Sequence, residues 1–187
     1  MGSSMVGSRI GVINLDISFR PIQEKDFSQL YKWLNTNFVV QGYGKKERTY
    51  NSIKNQYAKY ITGEKPTQAY IIQIDNVDIG MIKTYFYSDY MGDGYFDLLE
   101  ADETSVGVDL FIGHKEYVHK GFGVKILKAF LNEYVFTNAD IKNCIITPEP
   151  DNIIAIKVYK KVGFKWYKTI KLLNGNSEYL MKLDNNY

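Results

Sequence analysis

The stretch that most restricts how this chain can fold runs from Thr104 to Thr147. "TSVGVDLFIG" reads as a strand, and a polar stretch follows that closes on Gly121-Phe122-Gly123. In "GVKILKAFLNEYVF" the residues Val124, Leu127, Phe130, Leu131, Tyr134 and Val135 fall on one helical face, and "NCIIT" then reads as a buried strand. A strand, a glycine turn and a helix N-terminus present unpaired N–H groups at the positive end of the helix dipole, where anions bind readily. The glycines admit unusual backbone angles and close approach of a ligand. Alone, the pair is equally the mark of an ordinary turn. No third glycine follows in dinucleotide register, and no Gly-Lys-Ser/Thr makes it a P-loop.

The flanking segments place this unit within a larger sheet. "LDISFRP" alternates as a short strand ended by Pro21, and "EKDFSQLYKWLN" and "TYNSIKNQYAKYI" carry apolar residues at helical spacing. "QAYIIQI", the turn "DNVD" and "IGMIKTYFY" predict an antiparallel hairpin. After "NCIIT" come a helix, "DNIIAIKVYKKV", and two strands, "FKWYKTIKL" and "SEYLMKL", around "LNGN". The order β-α-α-β-β-β-α-β-α-β-β implies one α+β domain built on a mixed, mostly antiparallel sheet flanked by helices. Trp33 and Trp166 are both expected to pack rather than to stack on a ligand.

Composition supports one domain: the 187 residues are 45% hydrophobic and 15% aromatic, enough for a sizeable core. No apolar run approaches the length of a membrane span. The Gly/Ser-rich start, residues 1–11, reads as a cloning remnant or disordered N-terminus, with the domain over 12–187. The single Cys144 forms no internal disulfide and suits a reducing cytoplasm as a buried thiol. His114 and His119 lack partners at ligand spacing, so no metal is expected. The lysines are dispersed over several elements, which argues against nucleic acid.

Net charge is only +2, yet from Tyr85 through His114 seven acids (Asp89, Asp93, Asp97, Glu100, Asp102, Glu103 and Asp109) occur with no Lys or Arg. Such a segment suits a solvated loop, but its interleaved Tyr and Phe residues favour a surface for a cation.

A second motif lies about thirty residues beyond the glycines. "DNIIAIKVYKKVGF" sets Asn152, Ala155, Tyr159, Gly163 and Phe164 at the spacing Asn-x-x-Ala-x-x-x-Tyr-x-x-x-Gly-Phe. Together with Gly121 and Gly123 it resembles the GCN5-related N-acetyltransferases (GNAT), whose acetyl-CoA site joins these two elements. "VVQGYG", "VDIG", "GDGYF", "GVDLFIG" and "EYLMKL" extend the likeness toward the aminoglycoside 6′-N-acetyltransferases, over nearly the whole chain after its start. Three positions depart from that pattern. Val118 stands where Gln or Arg is common, Gly42 where a second aromatic can precede the one matched by Tyr43, and Thr147 where Asp often precedes Pro148.

The resemblance implies direct transfer of acetyl from acetyl-CoA to the 6′-amine of an aminoglycoside, with no acyl-enzyme and no metal. It implies catalytic roles for Asp109, which binds and orients the amine or accepts its proton, and for Tyr159, which protonates the departing thiolate. Implied cofactor contacts are Leu110, Phe111, Ile112, His119, Lys120, Gly121, Phe122, Gly123, Val124, Asn152 and Ala155. Implied substrate contacts are Tyr43, Asp93, Tyr95, Asp109, Glu149 and Asp151. Charge-assisted hydrogen bonds from carboxylates to a polycation make the acidic segment intelligible. The same chemistry on a polyamine, a lysine-like siderophore precursor or a protein N-terminus stays open. A monomer or weak homodimer in the bacterial cytoplasm completes the expectation, with no membrane or nucleic-acid partner.

Overall fold

A computed structural model describes residues 15–43, 46–90, 98–172 and 175–185. The seven strands are β1 (Ile17–Pro21), β2 (Gln68–Ile74), β3 (Val77–Phe86), β4 (Ser105–Ile112), β5 (Asn143–Ile146), β6 (Lys165–Lys171) and β7 (Ser177–Asp184). They form one sheet in the order β1-β2-β3-β4-β5-β7-β6, antiparallel except between β4 and β5. The expected α+β class with a mixed, mostly antiparallel sheet is therefore what the chain adopts. Reading of residues 1–11 as a remnant concerns a segment outside the described residues.

Helices α1 (Phe27–Leu34), α2 (Asn37–Gly42) and α3 (Tyr50–Ile61) cover one face, and α4 (Phe122–Phe130) and α5 (Ile153–Val162) cover the other. The strand period of two explains the division. Ile71, Met81 and Phe111 point to the core with Leu30, Trp33 and Ile53, whereas Ile72, Ile82 and Val108, each an odd number of residues away on the same strand, point to that with Ile126, Phe130 and Ile156. Burial of these side chains from both faces is the main force holding the helices to the sheet.

Local chemistry sets the boundaries. The β2–β3 turn is tighter than "DNVD": Asp75 and Asn76 alone form it, both at positive φ (50° and 65°), as a two-residue type I′ hairpin requires. The single helix expected over "GVKILKAFLNEYVF" is α-helical to Phe130 and widens into a π turn over Leu131–Val135. Helix α2 was not foreseen, because six residues are too few to show a period. Trp33 is buried as expected, at 3% exposure, beside Phe111. Trp166 is not: it is 55% exposed, because β6 is the sheet's edge and bulges between Trp166 and Lys168.

Gly113, just after β4, has no room for a side chain, since a Cβ there would lie 2.2 Å from Cγ of the buried Trp33 ring. Gly113→Ala should lower stability by about 1–3 kcal/mol, the usual cost of overpacking, and would register as an earlier urea or thermal unfolding midpoint.

Candidate active site

The site begins with an interruption of the sheet. β4 and β5 pair only where Ser105–Gly107 lies beside Asn143–Ile145, and β4 then runs five residues farther without β5. The Gly113 N–H donates to the Ile79 carbonyl at 2.7 Å. In an antiparallel ladder this turns the N–H groups of Asp109 and Phe111 toward β3 and those of Leu110 and Ile112 toward the gap. The gap thus carries backbone donors and lets side chains from both sheet faces meet.

On one side of the gap lies a cleft of about 530 Å³ lined by α2, the end of β4, the loop before α4 and the first turns of α5. Of the cofactor residues expected from sequence, Leu110, Phe111, Ile112, His119, Gly123, Asn152 and Ala155 line it. Lys120, Gly121, Phe122 and Val124 do not; Lys120 and Gly121 face solvent, and Phe122 packs on Tyr117. The two glycines serve different ends. Gly121 caps α4 in the left-handed region (φ 82°) with open space around it, so its need is conformational. Gly123 has an ordinary φ and lies where α4 meets α5; a Cβ there would make ordinary contact with the Val158 methyls at 3.5 Å, so the protein's own packing would admit one. His119 is also left-handed, at φ 62°.

Asn152 has a role that its motif did not disclose. Its Oδ1 accepts from the Ala155 N–H at 3.1 Å and caps α5, while its Nδ2 donates to the Gly42 carbonyl at 3.0 Å. One side chain therefore ties the C-terminus of α2 to the N-terminus of α5 across the cleft. The exposed apolar residues Ile153 and Ile154 form part of the lining beside it.

A second cavity of about 300 Å³ continues from the first, with Tyr43, Leu110 and Tyr159 in the walls of both. Asp109, Glu149, Glu178 and Arg48 bring charge to it. Asp151, expected near the substrate, lines the larger cleft instead. Asp93 and Tyr95 lie outside the described residues. Of the acidic segment's described residues, Glu100 pairs with Lys168 and accepts from the Tyr167 hydroxyl, and Asp102 accepts from Thr104 and Ser105 in a local turn.

Asp109 has a partner that sequence reasoning missed. Lys83 stands directly opposite it on β3, with Nζ 3.0 Å from Oδ2, and only 15% of the lysine side chain is exposed. Burial alone would lower the Lys83 ammonium, but the Asp109 carboxylate outweighs it and holds the pKa above its ordinary value. Burial, reinforced by Asp109, pushes the phenols of Tyr43 and Tyr159 up. Lone Lys83 within the apolar run "IGMIKTYF" was the available signal. Arg48 offered none; its guanidinium donates to the Tyr43 carbonyl at 3.2 Å and lies over the Tyr43 ring.

The family model for the acetyltransferase (GNAT) domain matches residues 23–172, and the chain belongs to that family. It is 27% identical over 171 residues to the aminoglycoside N(6′)-acetyltransferase type 1 of Klebsiella pneumoniae, covering 90% of this chain and 84% of the relative. The solved structure of AAC(6′)-Ib with paromomycin and acetyl-CoA superposes with a TM-score of 0.81, at 27% identity over 90% of this chain and 93% of the other. That of AAC(6′)-Ib with coenzyme A and kanamycin gives 0.80, at 26% identity over 90% and 95%.

Asn152→Ala should cost roughly 1 kcal/mol of stability through the lost cap, and should weaken acetyl-CoA binding beyond that by freeing α2. Calorimetric titration beside a thermal melt would separate the two effects. Gly121→Ala should fold yet bind acetyl-CoA less tightly, because a left-handed alanine costs about 1–2 kcal/mol and the helix entry must shift; an unchanged Kd would remove this turn from the site.

Proposed function

We propose that this protein is an aminoglycoside 6′-N-acetyltransferase, a bacterial cytoplasmic enzyme that inactivates antibiotics by moving acetyl from acetyl-CoA to the 6′-amine. One observation carries the reading: Asp109, Tyr43 and Tyr159 converge on a cavity that opens, through the β4–β5 gap, into a long cleft suited to a coenzyme. Likeness over 90% of the chain to enzymes named for this activity supports it.

The residues fit acetyl-CoA. Free N–H groups at the α4 N-terminus suit phosphates, the Ile112 N–H suits an amide of an extended arm, and Ile153 and Ile154 offer apolar cover. When bound, acetyl-CoA supplies the thioester carbonyl that the amine attacks. Asp109 accepts a hydrogen bond from the amine and aims its lone pair, a positioning contribution. The Leu110 N–H, which faces the gap, would stabilise the negative charge that develops on the carbonyl oxygen. Tyr159 remains protonated and donates its hydroxyl hydrogen to the departing sulfur. Because burial raises its phenol, Tyr159 would end unchanged: the proton that reaches the sulfur would be the one the amine loses on attack, passed on through water. Cys144 takes no part, since it is fully buried and burial pushes its thiol up. Transfer is accordingly direct.

Release of CoA thiol in the presence of kanamycin, and its absence with an aminoglycoside bearing a 6′-hydroxyl, tests the assignment; release with spermidine or a peptide amine alone would overturn it. Tyr159→Phe should reduce kcat by about 10²–10⁴ with little change in acetyl-CoA affinity. Asp109→Asn should likewise keep acetyl-CoA binding and sharply reduce turnover, and parental turnover in that variant would defeat the role given to Asp109.

A further inference from the structure

Lys83 is paired with Asp109, yet the mechanism leaves it unused. A carboxylate standing alone at the acceptor position would hold the incoming amine as an ammonium, because an opposite charge raises an amine's pKa. An ammonium has no lone pair and cannot attack. Here one oxygen of Asp109 is already bonded to the Lys83 ammonium. We propose that Lys83 keeps the Asp109 subsite near zero net charge, so that the reacting amine is bound as its free base.

The inference rests on Asp109 receiving the amine. The surroundings are consistent with it from every packed element. On β3 and α3, the rings of Tyr85 and Tyr60 face the Lys83 ammonium at 5.5 and 5.9 Å and keep it within a cationic niche. Burial pushes up the phenols of Tyr57, Tyr43 and Tyr159, so these bring no negative charge. Arg48 adds a second positive charge to the cavity wall. Glu149 and Glu178, on the loop after β5 and on β7, bring negative charge to the same cavity. Asp109 itself is 38% exposed, enough to meet a ligand with its free oxygen, while Lys83 lies behind it. No covalent step is added: the amine leaves its proton in solvent on entering and still loses one as the bond to the acetyl carbon forms.

The test follows the bound amine's protonation. In Lys83→Gln, KM for kanamycin should fall severalfold, because the uncompensated Asp109 attracts the ammonium. Its kcat at pH 7 should fall about tenfold, and the acid limb of the kcat–pH profile should move up by about one unit. Lys83→Arg should restore the parental limb. An unmoved limb in folded Lys83→Gln overturns the proposal. Should that variant fail to fold, kanamycin carrying ¹⁵N at the 6′-amine can be titrated on the parent enzyme with a non-reactive CoA analogue. A bound amine pKa below the free value is expected, and one equal to the free value or above it overturns the proposal. If the parent turns over spermidine but not kanamycin, the aminoglycoside reading fails while the same limb shift, measured with spermidine, still decides the role of Lys83. A parent that turns over neither amine overturns both.

Discussion

The early parting of β4 from β5 is the constraint on which the rest of this molecule depends. Continuous pairing would satisfy every backbone group of β4 and leave no opening between the two faces of the sheet. Ending the ladder at Gly107 and Ile145 leaves the Leu110 and Ile112 N–H groups for a ligand and creates the passage between cleft and cavity. The antiparallel β3–β4 ladder holds β4 straight through this region, so the gap stays open without a partner on that side. β5 is secured in turn by its antiparallel pairing with β7. The opening is thus framed by strands that are each fixed by their other neighbour.

Across that opening the chain needs a tie, and Asn152 provides it. A side chain that caps α5 and also holds the Gly42 carbonyl makes the position of α2 depend on the same residue that begins the coenzyme-facing helix. The geometry of the cleft is therefore set by a hydrogen bond between residues 110 positions apart, not by either helix alone. This also explains why so short a helix as α2 can wall a binding site: its end is pinned, and Val39 anchors it in the core.

These two features mark the boundary of what the sequence disclosed. The layers, the hairpin and the helices α1, α3, α4 and α5 were legible because each has a period or a turn signal spanning many residues. Gly121 and Asn152 were legible as a pair through their fixed spacing, yet the spacing said nothing about why each residue is needed. Left-handed geometry explains the first and a two-ended clasp the second. Lys83 and Arg48 were missed because their importance lies in what a register or a fold brings beside them. Lys83 faces Asp109 only because β3 and β4 align in that register, and a shift of one residue would turn the lysine to the opposite face. For Glu100 and Asp102 the complementary reason applies: a run of charge along the chain does not disclose the partners, Lys168 and Tyr167 for the one and Thr104 and Ser105 for the other, that the fold supplies.

The charge arrangement then acquires a logic that composition alone obscured. A site for a polycation must attract ammonium groups and yet allow one of them to react as a neutral amine, two demands that a uniformly acidic pocket cannot meet together. Here the demands are separated in space. Glu149 and Glu178 line the cavity, while Asp109, the point of attack in the proposed mechanism, is paired with a lysine buried behind it. Such a pair would be a poor device for stability, since desolvating two charges returns little. Its place in the centre of the sheet is intelligible under the proposed mechanism, in which Asp109 would keep its hydrogen-bonding geometry toward the substrate and surrender most of its field.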